Sequence, residues 1–326
     1  MEATAQLKKS GKFISLREAV SLIKDGDQLT LGGFTINRNP MALCREMIRQ
    51  RKKDIYLVVH SHGQGMELMI GAGCVSRVEL AYGGVARFAP TGIRFRKSIY
   101  SGELQVEDYS NFQMILRFMA GAMGLPFIAT TSGLETDIVK KMGFPEEIRG
   151  KGRVPHRKLK VMRNPWNEEE GDVVLLPPLN PDVALIHAQY VGLDGTVRIQ
   201  GLTFADLEEA KASKLVIVTC EEIVPTEFIR RDPDQNSLPH FLVDAVVRAP
   251  FGAHPTACHH FYDYDSKHLR LCAEMSKNDD NFQRYLDEWV YPFETQEDYL
   301  AKVGIEELLK IKANPAIGYA QGIDRR

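Results

Sequence analysis

The run Asp25-Gly-Asp-Gln-Leu-Thr-Leu-Gly-Gly-Phe-Thr-Ile-Asn-Arg-Asn-Pro40 constrains the fold more than any other stretch of this chain. Leu29 and Leu31 carry a buried strand. Gly32 and Gly33 then remove side chains where the backbone must turn or admit a ligand. Asn39 and Pro40 read as an N-cap and a first helical residue. Strand, glycine turn and helix in that order define one unit of an open α/β sheet. Ligands of such sheets bind outside the carboxyl ends of the strands, which makes this turn a candidate site by position. On spacing alone it is a generic phosphate or cofactor turn.

The same alternation continues along the chain. Ser15-Leu-Arg-Glu18 is a capping box opening a helix to about Lys24. Strands are expected at Asp54–His60, Arg77–Tyr82, Phe127–Thr131, Val173–Pro177, Val183–Gln189, Leu215–Cys220 and Val243–Ala249. Helices are expected from Pro40, over Met66–Ile70, over Ser110–Met123 and from about Phe204. A parallel sheet flanked by helices follows. Residues 134–172 break the pattern with Lys, Arg, Pro and Glu, and are read as an irregular excursion from a single domain spanning 1–326. Asn278–Leu309 is expected to be a helical C-terminal segment.

Composition sets outer bounds. The chain has 326 residues, 44% of them hydrophobic, and a net charge of −2, which gives no bias toward nucleic acid. No apolar stretch reaches the roughly 18 residues of a membrane helix, and no signal peptide is expected. Five cysteines, Cys44, Cys74, Cys220, Cys258 and Cys272, lack any Cys-x-x-Cys pair, so reduced thiols and a cytoplasmic location are expected.

Among polar residues, Arg38, Arg94 and Arg96 offer guanidinium forks that suit a carboxylate. Arg94 and Arg96 share a side of any strand. His60 and His62 would share a face if the strand continues, and Cys258-His-His260 adds further metal-ligating types, but the spacing matches no zinc arrangement and no metal is expected.

Taken together, the acidic-Gly start, Gly32-Gly33-Phe34 and Pro40 resemble the signature of class I coenzyme A transferases. Thr30 and Arg38 depart from the commonest form. Arg38 is similar to the alpha subunit of glutaconate CoA-transferase. The resemblance extends through Arg94-Phe-Arg-Lys97, Gly102 to Asp108-Tyr-Ser110, Gly124-Leu-Pro-Phe127, Asp182-Val-Ala-Leu-Ile-His-Ala-Gln189, Asp194-Gly-Thr-Val-Arg198, Val218-Thr-Cys-Glu-Glu-Ile223, Val243-Asp-Ala-Val-Val247 and Gly252-Ala-His-Pro255.

That resemblance implies an alpha subunit that acts with a beta subunit, in a heterotetramer or hetero-octamer, on a coenzyme A thioester with no bound cofactor. It implies a ping-pong transfer of CoA between an acyl-CoA such as acetyl-CoA and a dicarboxylic acid such as glutaconate or glutarate. Asn111 stands where many members carry glutamine, and so becomes the candidate oxyanion donor. Asn is one methylene shorter, which sets the donor back by about 1.5 Å. Gly32, Gly33, Phe34, Arg38, Ser61, Arg94 and Arg96 are candidate substrate-binding residues. Ser61-His-Gly-Gln-Gly65 is expected to be a flexible loop facing the shared site. No Ser-Glu-Asn-Gly-like motif is present, so no nucleophile is expected in this chain. Glu221 and Glu222 match a non-nucleophilic acidic pair of the alpha subunit. Two alternatives share the scaffold: an acyl-CoA hydrolase or decarboxylase, and a non-catalytic regulatory homologue.

Overall fold

The computed structural model describes residues 11–323. Its elements in chain order are α1 (Leu16–Ser21), β1 (Gln28–Leu31), α2 (Met41–Arg49), β2 (Ile55–His62), α3 (Gln64–Gly71), β3 (Val75–Gly83), α4 (Ile93–Tyr100), β4 (Gln105–Asp108), α5 (Asn111–Ala122) and β5 (Ile128–Thr130). These are followed by α6 (Asp137–Lys140), β6 (Lys160–Arg163), β7 (Asp172–Leu176), β8 (Val183–Gly192), β9 (Val197–Arg198), α7 (Asp206–Ala212), β10 (Leu215–Val224), α8 (Thr226–Arg231) and β11 (Ala245–Arg248). The C-terminal segment holds α9 (Ser266–Ser276), α10 (Asp279–Trp289), α11 (Gln296–Val303) and α12 (Ile305–Ile311).

The main sheet runs β11-β10-β8-β1-β2-β3-β4, every neighbour parallel, with β9 antiparallel on β8. Both faces are covered, which is why the central strands β1, β8 and β10 are buried along most of their length. Leu29, Leu31, Leu57, Val59 and Leu185 face one core with α2, α3, α9 and α10. Tyr56 and Val58 face the opposite core with Met114 and Phe118 of α5. The strand period of two separates the two sets.

The excursion is built on a small antiparallel sheet, β5-β7-β6. Phe144, Val154 and Leu159 anchor it against Tyr56, Val58 and α5. The segment is therefore packed, where the sequence suggested an irregular stretch. Its lone apolar side chains are spaced for a shallow contact and carry no period.

One local expectation is corrected, and one unassigned stretch gains an element. The helix after the first turn begins at Met41 with Pro40 at its N-cap, and no side chain caps it. Asn39 instead receives the Gly65 N–H on Oδ1 at 3.2 Å and donates from Nδ2 to Asn37 O, tying the turn to α3. Arg94-Phe-Arg96, to which the sequence assigned no element, is helix. An Arg-Phe-Arg run alternates, but Phe95 and Ser98 lie three apart and are both buried, the helical spacing. Glu67 of α3 accepts the free N–H groups of Arg94 at 2.5 Å and Phe95 at 3.0 Å, capping α4 from outside.

Candidate active site

The Gly32-Gly33 turn lies at the carboxyl end of β1, near the middle of the sheet. Gly33 has φ +85°, and a Cβ there would lie 2.5 Å from Asn37 O, so only glycine fits. A Cβ on Gly32 would overlap the Asp206 carboxylate. Phe34 and Asn37 exchange backbone bonds of 2.8 and 2.7 Å, closing a tight loop.

Asp206, the first residue of α7, holds this loop. Its Oδ1 accepts from Gly33 N at 3.2 Å and Arg38 Nη1 at 2.7 Å, and its Oδ2 from Arg38 Nη2 at 2.9 Å. Arg38 also donates to His187 O at 2.9 Å and Leu202 O at 3.1 Å. Burial opposes the arginine's charge, but Asp206 more than offsets it and raises its pKa. Both Nη groups are engaged within the chain, and the guanidinium orders the turn. Glu209, one turn further along α7, has its pKa pushed well up by burial and then by Asp206. The buried Arg38 cation is thus matched by the buried Asp206 anion, and burial disfavours a second negative charge on Glu209.

The neighbouring strand ends in Ser61 and His62, and Gly63 turns directly into α3. A Cβ on Gly63 would overlap Thr35 O, so the two turns interlock. This segment, expected as a flexible loop, is strand end and helix start, tied to the first turn by Thr35 N to Ser61 O at 3.2 Å. His62 is buried, hydrogen-bonded from Met66 N at 3.3 Å and to Gly32 O at 3.2 Å. Burial drives its pKa down to about 4. His60 lies instead against the Phe34 ring, with centroids 5.7 Å apart. The two histidines are not a ligand pair.

Ser61 is buried, and its Oγ donates to Asn111 Oδ1 at 2.6 Å. Asn111 is the first residue of α5. The helix is capped by Ser110, which forms a capping box with Gln113. With Oδ1 held by Ser61, the Asn111 side chain is exposed at the positive end of a three-turn helix.

The structure thus brings Gly32, Gly33, Phe34, Arg38, Ser61 and Asn111 to one edge of the sheet. Arg94 and Arg96 have no contact with that turn. Arg94 pairs with Asp279 at 2.7 Å and lies over the Phe282 ring, joining α4 to the C-terminal helices. Arg96 is exposed beside Pro90, Thr91 and Lys277. Asp206 is the functional partner that sequence reasoning missed. An acid in a helix first turn is ordinary, and its arginine lies 168 residues away.

Beside the turn, the stacked rings of Phe34 and Phe204, 4.8 Å apart, border a cavity of about 360 Å³. Gln200, Leu202, His259 and Tyr319 complete its rim.

Below the turn, His187 bonds Glu221 Oε1 through Nε2 at 2.7 Å and Thr219 through Nδ1 at 2.9 Å. Glu221 also accepts from Tyr262 OH at 2.6 Å and Phe251 N at 2.7 Å. Cys258 stands beside this pair rather than acting with His259 and His260, and burial pushes its thiol pKa well up. The three types could in principle ligate a metal, yet both nitrogens and both carboxylate oxygens already have partners. The cluster fits a structural network, with Glu221 buried and held by three partners.

Glycine turns at the carboxyl edge of a parallel sheet, with the Ser61–Asn111 pair beside them, form the candidate site. The chain belongs to the coenzyme A transferase family, whose model matches residues 13–249. It is 38% identical over 310 residues to the A-type subunit of glutaconate CoA-transferase from Acidaminococcus fermentans, covering 94% of this chain and 97% of that one. The crystal structure of the A. fermentans enzyme superposes with a TM-score of 0.92, covering 96% of this chain and 98% of the other. A cholesterol ring-cleaving hydrolase subunit from Rhodococcus jostii is 30% identical over 302 residues, 90% of this chain and 96% of that one. No helix among the described residues is long and apolar enough to cross a membrane.

Proposed function

We propose that this chain is the alpha subunit of a two-chain CoA transferase that moves CoA between an acyl-CoA and a carboxylic acid, with glutaconate or glutarate and acetyl-CoA as the expected pair. The observation that carries the reading is the Ser61–Asn111 pair, which leaves an amide donor open at the site edge. Glu221 is buried in a hydrogen-bonded network and this chain has no Ser-Glu-Asn-Gly-like motif, so the resemblance assigns the attacking glutamate to the partner chain.

In the proposed reaction the partner's glutamate attacks the thioester carbon, and the C–S bond breaks to give a mixed anhydride and CoA thiolate. The thiolate attacks the glutamyl carbonyl, releasing the first acid and leaving a glutamyl-CoA thioester. The acceptor carboxylate attacks that thioester, and the steps reverse to give the new acyl-CoA. Each addition places negative charge on a carbonyl oxygen. Asn111 supplies a neutral donor to that oxygen, a contribution worth about 10²–10³ in rate.

Both Nη groups of Arg38 have partners within the chain, which supports turn ordering over a clamp for a second carboxylate. The choice of a dicarboxylic acid rests on the resemblance to glutaconate CoA-transferase. A hydrolase is the second reading, supported by the similarity to the R. jostii protein. The test is to co-express the chain with its partner, then supply glutaryl-CoA and acetate. Acetyl-CoA is the expected product. Free CoA or a chain-shortened thioester in its place means a hydrolase or a decarboxylase, and an inert pair means a regulatory homologue.

A further inference from the structure

The cavity of about 360 Å³ beside the glycine turn falls within the roughly 300–1,000 Å³ of small-ligand sites. Phe34 and Arg38 of the turn form one side of it, and Leu202, Phe204, Ala257 and His259 form much of the rest. The turn also joins it to Asn111. Phe34 borders the cavity, the next residue donates from Thr35 N to Ser61 O at 3.2 Å, and Ser61 Oγ donates to Asn111 Oδ1 at 2.6 Å.

Arg38 and Phe204 both take left-handed backbone angles, with φ of +51° and +48°. Side chains of that bulk adopt this form only at a cost, and such strain gathers at ligand sites. Here it accompanies the stacking of Phe204 on Phe34, with centroids 4.8 Å apart and planes within 13°. Gly201 has φ +84°, and a Cβ there would lie 2.9 Å from the His259 ring, so glycine lets that imidazole close up against the backbone. Charge in the wall is already spent. Among the described residues that line the cavity, Arg38 is the one charged side chain, and Asp206, His187 O and Leu202 O occupy its Nη groups. Burial and then His260 lower the His259 pKa, which keeps its ring neutral. A carboxylate brought into this space would lose water and meet no free cation, whereas a carbon chain gains by leaving water.

We propose that this cavity is the subsite for the carbon chain of the acyl group, and that it selects thioesters by that chain rather than by a second charge. This rests on the assignment of the site to acyl-CoA chemistry and adds where the acyl group lies. The chain runs from the thioester past Phe34 into the cavity. The remote carboxylate of a dicarboxylic acid stays at the mouth, where Leu202 is 74% exposed. An acetyl group has a single methyl to place and gains least from the cavity.

The test uses the assembled pair and fills the cavity from two walls, with Ala257→Leu inside and Leu202→Trp at the mouth. Glutaryl-CoA, pentanoyl-CoA and acetyl-CoA are compared as donors, with propionate as the common acceptor. One methylene gained or lost in an apolar pocket changes kcat/KM by about 10–200-fold. The ratio of kcat/KM for glutaryl-CoA to that for acetyl-CoA is therefore expected to fall at least about tenfold in either variant. Pentanoyl-CoA, the same chain without the second carboxylate, should fall by the same factor to within about threefold. Should Ala257→Leu fail to fold or to bind the partner, Leu202→Trp, at an exposed position, still decides. An unchanged ratio overturns the proposal. So does a fall confined to glutaryl-CoA, which would mark a carboxylate contact instead. If the unmodified pair releases free CoA and forms no propionyl-CoA, the transferase reading fails. The same ratios are then scored on CoA release, because the acyl chain must be housed in hydrolysis too. A pair that consumes no thioester overturns both.

Discussion

The Ser61 hydroxyl donates a 2.6 Å hydrogen bond to the side-chain carbonyl of Asn111, 50 residues further along the chain. The bond joins the end of β2 to the start of α5 and decides which end of the amide faces outward. Ser61 is thereby a positioning residue for Asn111. Asn111→Ala is expected to lower kcat of the pair about 10²–10³-fold. Ser61→Ala should lower it about fivefold, the worth of one net hydrogen bond, with KM little changed. In an Asn111→Ala background the Ser61 substitution should add nothing. Additive effects in this double-mutant cycle would show that the two residues act separately.

Arg38 is predicted to matter for stability before selectivity. Its bidentate pair with Asp206 is buried, and removing one partner strands the other charge. Arg38→Met should destabilise the chain by about 3–5 kcal/mol. Urea unfolding measures this directly. Arg38→Met that folds normally but loses dicarboxylate preference would restore the substrate-clamp role.

Acid should weaken the fold through buried histidines. Burial holds His62 near pKa 4 and His268 near 3, against 6.5 for an exposed imidazole. Between pH 6.5 and those values the unfolded chain binds protons that the folded chain does not. Stability is therefore steady above about pH 7 and falls as pH drops, by about 1.4 kcal/mol per pH unit for each histidine. His62→Gln should flatten the slope between pH 6 and pH 4.5 by about one proton in urea titrations. An unchanged slope would mean that His62 is not buried neutral.

The parallel sheet was legible because β1, β2, β8 and β10 are apolar runs separated by helical spacing. Gly33 was legible because two glycines at a strand end have few other uses, and the observed φ of +85° shows the need. The partners were not. Ser61–Asn111 and Arg38–Asp206 join positions 50 and 168 residues apart, and nothing local distinguishes Asp206 from other first-turn acids. Arg94 and Arg96 misled because an alternating Arg-Phe-Arg run suits a strand, while Glu67 on another helix supplies the cap that makes it α4. Asn39 preceded proline and looked like a cap, yet its amide was drawn to Gly65 once the two turns met.

This chain is assigned the oxyanion donor Asn111 and its partner the nucleophile. Intact-mass spectrometry of the assembled pair after brief exposure to acyl-CoA tests that division most directly. The predicted result is a covalent CoA adduct on the partner chain, none on this one, and none on this chain incubated alone. An adduct on this chain would place the nucleophile here and contradict the assignment.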